Sequence, residues 1–502
     1  MILLKDVKIE TIEDVRDAVQ QAVELEHSTI PPYLTANFTL NNTGNDDISN
    51  LIGSILGEEM LHLTIAGNLL NAVGGTPVIN KPPFIPTYPG PLPGGVETGL
   101  VVPIAKFSKD LIKNVFMVIE EPENKINIKK AAADGKITIG QFYQKIKKQL
   151  EELEREAKKK KKTIFTGDAK NQVTFEEFFP KKLLFPITDL KTALRGIDII
   201  VNQGEGTTID PFVNPDDTMT PEPAHYYRFQ EIVKGKRLVK DPKAPSGYSY
   251  SGDPIPFDGS LIPNMRENPK MNDYPVASPA YVNSKLFNYS YTSLLNSLHR
   301  AFNGEPEQIK AAMGLMFSVR LYALKLLALE DPNNPGYTAG PSFEYVSDED
   351  MTPADRKSLV ENGLVVKLSS SDILNSKNFY TDILGCTIDA RYTLNSDGKF
   401  GKDSYLQLNL PGLNSNIAIG LYKDIDAPLP KQDPSATPGT APTFVVADIK
   451  SVRQSLINKG VSVGEIIENK SDQGYVDFFA FFQDPDNNTL VLRQNVSLAK
   501  LN

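Results

Sequence analysis

The hydrophobic pattern of the chain changes from helical to strand-like spacing near residue 360. Before that point, apolar residues recur every three or four positions, which predicts helices with one apolar face. Such segments lie at about 11–41, 46–73, 107–120, 137–157, 187–204, 221–234, 281–302 and 306–330. After it, short alternating or continuous apolar runs predict strands, namely VVKLSS, YLQLNL, IAIGLY, TFVVADI and NNTLVLRQ. The pattern therefore predicts a helical domain followed by an α+β domain.

The first two predicted helices carry start and stop signals. Thr11 followed by Asp14 resembles a capping box at the start of the first helix. Pro31 and Pro32 are expected to kink or interrupt the second half of that helix, because proline removes a backbone donor. The second helix opens on two aspartates and is expected to stop at Gly74.

Loops and linkers divide the chain into domains. The predicted helical domain covers 1–345, a linker follows at 346–362, and the predicted α+β domain covers 363–502. A stretch rich in proline and serine at 427–442 divides the second domain into two halves of similar size. Within the first domain, residues 75–105 form a long loop rich in proline and glycine, which is typical of a segment that partly covers a site.

Composition and charge exclude several classes of partner. Hydrophobic residues make up 40% of the 502 residues and charged residues 23%, as in an ordinary globular protein. The net charge of −9 argues against a nucleic acid partner. The single cysteine, Cys386, excludes an intrachain disulfide. No segment has the ~20 apolar residues that span a bilayer, and no signal peptide is apparent. A cytoplasmic protein without membrane contact is therefore expected.

Three of the four histidines follow a glutamate by three residues. On a helix, residues three apart share a face, so a carboxylate and an imidazole can reach one metal ion together. Two such helices, with two more that each bring a glutamate, form the di-iron or di-manganese arrangement of some helical bundles. The three pairs are Glu24–His27, Glu59–His62 and Glu222–His225. This spacing predicts a metal centre.

Helical phase selects among the candidate ligands on the first two helices. Glu26 lies on the apolar stripe of the first helix, whereas Glu24 falls away from it. On the second helix, Glu59 and His62 lie on the apolar face, whereas Glu58 is expected on the surface. A buried carboxylate and imidazole need a partner, which a metal ion would supply. Glu26, Glu59 and His62 are therefore predicted ligands.

The remaining ligands are predicted to come from later helices. Glu222 and His225 precede apolar residues at helical spacing, so both are predicted ligands on a helix that begins near Glu222. Glu120 and Glu205 are each in phase with an apolar face, and either could complete the set. Gln141 is a third position, although a neutral amide is a poor ligand for hard divalent cations. Mixed carboxylate and imidazole ligands suit two iron ions, with manganese or zinc as alternatives.

The helical domain resembles the ferritin-like family that includes iminophenylpyruvate dimer synthases of bisindole pigment pathways. The resemblance rests on the strings ELEHSTIPPYL, EEMLHLTIAGNLLNAVGGTP, VNQGEG, HYYRFQEI and TAGPSFEYV. It implies a ferritin-like helical core and a role in bacterial specialised metabolism. Related ferritin-like groups use two irons and O₂ on small, often amino-acid-derived, substrates. The ligands that the resemblance supports are Glu26, Glu59, His62, Glu205 and His225. Gln141 stands where the family would have a glutamate.

Residues 364–496 resemble the vicinal-oxygen-chelate superfamily, which includes glyoxalases, dioxygenases and bleomycin-resistance proteins. The resemblance rests on DILNSKNFYTDILG, TFVVADIKSVRQSLINKG and FFAFFQDPDNNTLVL, and it implies paired βαβββ modules. The family's metal ligands are absent: the domain has no histidine, Thr443 stands at the fifth-strand histidine position, and Val491 stands at the final glutamate position. Ligand binding, substrate presentation or dimerisation is the expected role of this domain.

Together, these patterns favour an O₂-dependent non-haem di-iron oxidase or oxygenase acting on a small organic substrate, for which the family resemblance suggests an amino-acid-derived type. One alternative is an enzyme that couples two imine-type molecules, as in the pigment family. Another is a metal- or ligand-binding protein without turnover, including a self-protection factor. No glycine-rich nucleotide loop is apparent, so neither flavin nor nicotinamide is expected. An electron-donor protein and a second copy of the chain in a homodimer are candidate partners, and the catalytic residues stay undefined.

Overall fold

The chain divides into two compact units, Met1–Asp355 and Arg356–Asn502, and the boundary lies within the predicted linker. The computed structural model describes residues 3–41, 43–94, 99–122, 135–176, 178–204, 210–213, 222–276, 278–352, 364–388, 406–410, 417–423, 442–471 and 475–497. Within these ranges, no helix combines the length and the apolar composition needed to cross a membrane.

The first unit is built mainly from helices. They are α1 (Ile12–Thr39), α2 (Asp46–Ala72), α3 (Lys109–Leu111), α4 (Met117–Ile119), α5 (Ile139–Lys159), α6 (Leu190–Gly204), α7 (His225–Lys234), α8 (Pro279–Phe302) and α9 (Ile309–Leu327). A π-helical turn, Ile112–Phe116, joins α3 to α4. Most bounds agree with the predicted helices to within a few residues. The prediction for 221–234 is wrong at its start, since α7 begins at His225.

Four of these helices contact one another in a closed ring. Helix α1 packs against α2, α2 against α6, α6 against α5, and α5 against α1. Helix α7 covers one end of this ring through contacts with α2, α4 and α6. The hairpin of α8 and α9 packs on α1 and α2. Helices α1 and α2 therefore have one face toward the ring and another toward the hairpin.

The start of α1 and the end of α2 follow the signals in the sequence. The Thr11 hydroxyl accepts a hydrogen bond from the Asp14 amide, and the Asp14 carboxylate accepts one from the Thr11 amide, which completes the predicted capping box. Beyond α2, Gly74 has a φ of 74°, a left-handed conformation that glycine adopts without strain. Both helix ends are thus fixed by local chemistry.

The two prolines do not interrupt α1, so that part of the prediction is wrong. The helix runs unbroken through Pro31 and Pro32. Because Pro32 has no amide hydrogen, it cannot donate to the Ser28 carbonyl four residues earlier. The hydroxyl of Tyr88, in the long loop, donates to that carbonyl at 2.6 Å. The loop therefore supplies a partner for a carbonyl that the helix leaves free, and this ties the loop to α1.

Short two-stranded sheets join parts of the first unit. They are β1 (Leu3–Lys5) with β2 (Lys136–Thr138), β3 (Phe212–Val213) with β4 (Glu222–Pro223), and β5 (Val239–Lys240) with β6 (Tyr248–Ser249). All three pairs are antiparallel. The β3–β4 pair lies directly before α7 in the chain and fixes the residues that lead into it.

The second unit contains two four-stranded sheets with the same topology. Its elements are β7 (Leu364–Ser370), α10 (Ile373–Asn378), β8 (Thr387–Ile388), β9 (Leu406–Asn409), β10 (Ile417–Lys423), β11 (Thr443–Val445), α11 (Ile449–Asn458), β12 (Ile467–Ser471), β13 (Tyr475–Gln483) and β14 (Thr489–Ser497). The strand orders are β7-β10-β9-β8 and β11-β14-β13-β12. In the first sheet β7 pairs with β10 in parallel, and in the second β11 pairs with β14 in parallel. This is the predicted pair of βαβββ modules, and apolar residues from both form one core.

Candidate metal centre

Five carboxylate and imidazole side chains converge inside the helical ring. Glu26 comes from α1, Glu59 and His62 come from α2, Glu120 follows α4 directly, and His225 is the first residue of α7. Their exposed fractions range from 0% for His225 to 7% for Glu26, so all five are buried. Buried ionisable groups are costly unless they are paired or bind a metal ion. Their convergence therefore marks a functional centre.

The five side chains form two groups of three that share Glu59. In the first group, His62 Nδ1 lies 3.5 Å from Glu26 Oε2 and 3.9 Å from Glu59 Oε1. In the second, His225 Nδ1 lies 2.9 Å from Glu59 Oε1 and 3.5 Å from Glu120 Oε2. Within each group, one ligand atom per residue lies within 4.8 Å of the others. Each group therefore has the nitrogen and oxygen donors that a divalent metal ion needs.

The outer nitrogen of each imidazole is held by a second polar side chain. His62 Nε2 lies 3.1 Å from Gln203 Oε1, and His225 Nε2 lies 2.8 Å from Glu58 Oε2. The Arg228 guanidinium donates to the same oxygen of Glu58. When Nε2 donates to an oxygen, Nδ1 is left with a lone pair. Both imidazoles thus have Nδ1 facing the carboxylates, as metal-binding histidines with a fixed ring orientation do.

Each carboxylate of the two groups accepts a hydrogen bond from a buried hydroxyl on one oxygen. The pairs are Tyr143 Oη to Glu26 Oε1 at 2.5 Å, Thr29 Oγ1 to Glu59 Oε2 at 2.6 Å, and Tyr33 Oη to Glu120 Oε1 at 2.6 Å. The other oxygen of each carboxylate is the one that lies nearest the imidazoles. The hydroxyls therefore fix the orientation of the carboxylates and leave one oxygen of each for a ligand role.

Burial and charge shift the pKa values of the acidic groups in opposite directions. Burial, together with the negative charge of Glu120, raises the pKa of Glu59. Burial acts in the same direction on Glu58, but the positive charge of Arg228 and the hydrogen bond from His225 lower its pKa to about 2. Glu58 is thus a permanent anion beside His225, whereas Glu59 is poorly stabilised as an anion without a cation near it.

The two histidines of the centre have raised pKa values despite their burial. Burial alone would lower the pKa of His62, but the hydrogen bond and negative charge of Glu26 raise it overall. Burial likewise opposes protonation of His225, but the neighbouring carboxylates, Glu120 first, raise its pKa well above the ordinary value. The carboxylates of the centre therefore favour positive charge on the neighbouring imidazoles.

A small cavity of about 40 Å³ adjoins the first group of ligands. Apolar side chains make up much of its wall, including Leu92, Ile119, Ile139 and Ile200. Leu92 belongs to the long loop at 75–105 and is buried, so this loop contributes to the wall of the site. The volume exceeds the ~15 Å³ that one water molecule needs, and it suits ions and very small molecules.

Glu222, a predicted ligand, lies outside the centre. Its side chain is 62% exposed, and its nearest charged partner is Arg228 at 3.9 Å. Glu222 belongs to strand β4, where it pairs with Val213. Because the helix begins only at His225, the two residues do not share a helical face. The expected placement of Glu222 beside His225 is therefore wrong, although His225 itself lies in the centre.

Two further predicted positions have different outcomes. Glu205 lies outside the described residues. Gln141 is used at the start of α5, where its side chain accepts a hydrogen bond from the Thr138 amide at 3.0 Å. The Thr138 hydroxyl accepts one from the Gln141 amide at 3.1 Å, which completes a capping box. Helix α5 contributes Tyr143 to the centre in place of a carboxylate.

Sequence reasoning missed four polar residues around the centre: Glu58, Gln203, Tyr143 and Thr29. Tyr143 and Gln203 could have been found, since each is three residues from a buried isoleucine on its helix, Ile146 and Ile200. Glu58 had no such signal, because it lies off the apolar face of α2. Its partners come from α7, and only the folded chain brings them together.

The donors present fit a pair of divalent metal ions. His225 Nδ1 is buried and makes no hydrogen bond, although Glu59 Oε1 lies 2.9 Å away. A buried nitrogen without a hydrogen bond that faces two carboxylates is the arrangement expected of a metal ligand. Among the described residues, both groups able to hold a metal lie in the first unit. In the second unit, Thr443 and Val491 are paired neighbours on β11 and β14.

A comparison with protein families supports the ferritin-like character of the helical domain. A family model described as Ferritin-like matches residues 19–234, a range that contains both groups of ligands. The predicted fold class, a ferritin-like helical domain followed by paired βαβββ modules, is confirmed. The narrower resemblance to iminophenylpyruvate dimer synthases stays a prediction.

Two solved structures illustrate the other similarities. TnmS3, an antibiotic binding protein from Streptomyces sp. CB03234, is 22% identical over 27% of this chain and 98% of its own, with a TM-score of 0.19. A glyoxalase/bleomycin resistance protein/dioxygenase from Alicyclobacillus acidocaldarius is 12% identical over 28% of this chain and 97% of its own, with a TM-score of 0.21. A comparison with curated proteins gave no match.

Proposed function

We propose that the chain is a non-haem di-iron oxidase or oxygenase that uses O₂ on a small organic substrate. The observation that carries this proposal is the position of Glu59, which belongs to both groups of ligands. A carboxylate shared by two groups is the arrangement by which helical bundles hold two metal ions side by side. Glu26 and His62 would complete one site, and Glu120 and His225 the other.

The surrounding residues would support this chemistry in three ways. The Tyr143, Thr29 and Tyr33 hydroxyls hold the carboxylates in fixed orientations. Apolar residues such as Leu92 and Ile200 limit the access of water to the cavity. Two Fe(II) ions bound there would supply the electrons that reduce O₂. The amino-acid-derived type of substrate and the role in specialised metabolism follow from the family resemblance alone.

Oxygen uptake tests the proposed function. The chain is loaded with Fe(II) without oxygen, freed of unbound iron, and mixed with aerated buffer and a panel of amino acids with their imino and 2-oxo acid derivatives. We expect O₂ uptake that at least one compound stimulates and that the Glu59→Gln variant lacks. If the chain couples imines without oxygen and with a chelator present, the oxidase proposal is wrong and the chain is a coupling enzyme. If the chain binds metal but catalyses neither reaction, it is a metal-binding protein without turnover.

Substitution of Glu58 tests the support of His225. In Glu58→Gln, the negative charge that orients His225 and pairs with Arg228 is removed. We expect metal affinity to fall by about 10- to 100-fold, as for other partners of metal-binding histidines. The matched control is Glu222→Gln, because Glu222 also contacts Arg228 but is largely exposed. Titration with Mn(II) distinguishes the two variants, and equal affinities would contradict the role assigned to Glu58.

A further inference from the structure

A second cavity lies on the opposite side of α1 and α2 from the metal centre. Its volume is about 260 Å³, and it is enclosed chiefly by α1, α2 and the hairpin of α8 and α9. Apolar side chains dominate the wall, among them Leu34, Leu63, Leu295 and Met316. The two cavities have no lining residue in common. An engineered cavity of ~150 Å³ holds benzene, so this one has room for a larger apolar molecule.

The cavity is elongated along α1. Its wall includes His27, Ile30, Leu34 and Phe38, which follow one another on one face of that helix. From His27 to Phe38 the helix rises by about 16 Å at 1.5 Å per residue. Neighbouring Glu26 instead lines the cavity of the metal centre. The long apolar space therefore suits a slender molecule that lies parallel to α1.

His27 provides a buried polar group at one end of this space. Its exposed fraction is 3%, and its Nε2 lies 2.6 Å from the Tyr291 hydroxyl. Its Nδ1 is buried without a hydrogen bond. His27 and Tyr291 therefore close this end of the cavity.

Arg320, on α9, provides a positive charge at the other end of the cavity, near the end of α1. Its guanidinium donates to Asn41 Oδ1 at 2.7 Å, just beyond the end of α1, and it makes no ion pair with a carboxylate among the residues that the structure describes. Phe317, three residues earlier on α9, also lines the cavity and is 58% exposed. The cavity therefore opens to solvent near a half-buried cation that has no carboxylate partner in the described part of the chain.

We infer that this cavity binds a slender amphipathic monocarboxylate, with its carboxylate on Arg320 and its apolar chain extending along α1 toward His27. Charge complementarity selects the anion, because a neutral or cationic head group would leave Arg320 without a counter-ion. The apolar wall selects the chain, since burial of each methylene stabilises the complex by roughly 0.8 kcal/mol. This site does not depend on metal binding or on the proposed oxidase activity.

Calorimetric titration of the full chain with decanoate tests the inference, and decan-1-ol and decylamine serve as neutral and cationic probes of equal chain length. We expect one decanoate per chain, bound about tenfold more tightly than decan-1-ol, with decylamine weaker still. In Arg320→Gln, decanoate and decan-1-ol should bind with similar affinity. In Leu298→Trp, which places an indole into the cavity, neither should bind.

The matched control is Arg300→Gln, because Arg300 is exposed, pairs with Glu305 and does not line the cavity. Its affinity for decanoate should equal that of the unmodified chain. Absence of decanoate binding, or decanoate affinity unchanged in both Arg320→Gln and Leu298→Trp, would overturn the inference. If either variant fails to fold, as judged by circular dichroism, the order of the three probes on the unmodified chain still decides, and equal affinities would refute it.

Discussion

The Glu59→Gln variant is expected to lose both metal ions at once. Glu59 contributes to both groups of ligands, and its Oε1 lies 2.9 Å from His225 Nδ1 and 3.9 Å from His62 Nδ1. Glutamine has nearly the same shape but carries no charge, so the substitution removes a shared anion without opening a cavity. We expect the affinity of each site for Mn(II) to fall by more than about 100-fold.

The neighbouring carboxylates provide an internal comparison. Glu26→Gln should weaken chiefly the site with His62, and Glu120→Gln chiefly the site with His225, because each belongs to one group. The matched control is Glu154→Gln, since Glu154 is equally buried but accepts hydrogen bonds from Thr163 and the Ile164 amide. Electron paramagnetic resonance of free Mn(II) counts the ions bound. Retention of two ions by the Glu59→Gln variant would contradict the assignment of Glu59 to both metal sites.

Metal binding is expected to release protons, and affinity should therefore fall as pH falls. The raised pKa values of His62 and His225 mean that the metal-free centre holds protons on these imidazoles more tightly than a free imidazole does. A metal ion needs the lone pair of a neutral imidazole, so these protons must leave when it binds. The burial and the charge of Glu120 that raise the pKa of Glu59 act in the same direction. Protons and metal thus compete at low pH.

Release of one to two protons per pair of ions is the expected size of this effect. Each proton that is displaced changes metal affinity by up to about tenfold per pH unit. A pH indicator in weakly buffered solution measures the protons released on addition of Mn(II). Titrations at about pH 6 and about pH 8 measure the change in affinity, which should be higher at the higher pH. An affinity that is independent of pH would contradict the raised pKa values of the two histidines.

The fold followed closely from periodicity, because apolar residues recur every three or four positions along the long helices. The interior prolines of α1 were harder to interpret, since the partner of the Ser28 carbonyl comes from Tyr88, sixty residues later in the chain. The start of α7 was also missed, because the pairing of β3 with β4 holds Glu222 in a strand. In both places a contact between distant segments decided the local structure, and such contacts have no periodic signature.

The metal centre likewise contains residues that periodicity predicts and residues that only contacts between distant segments bring together. Glu26, Glu59 and His62 could be placed from helical phase alone, because each lies on the buried face of a long helix. Glu58 could not, since it lies off that face and is held by His225 and Arg228 from another helix. The choice between Glu120 and Glu205 was open in the sequence. The structure brings Glu120 to His225, and Glu205 lies outside the described residues.

A count of metal ions per chain tests whether these residues form a dinuclear metal centre. The chain is incubated with excess Fe(II) without oxygen, dialysed against metal-free buffer, and measured by elemental mass spectrometry together with protein concentration from amino-acid analysis. With two groups of ligands that share Glu59, about two iron ions should remain per chain. A content near zero, or an equal content in the Glu59→Gln variant, would contradict the assignment of these residues as a dinuclear metal centre.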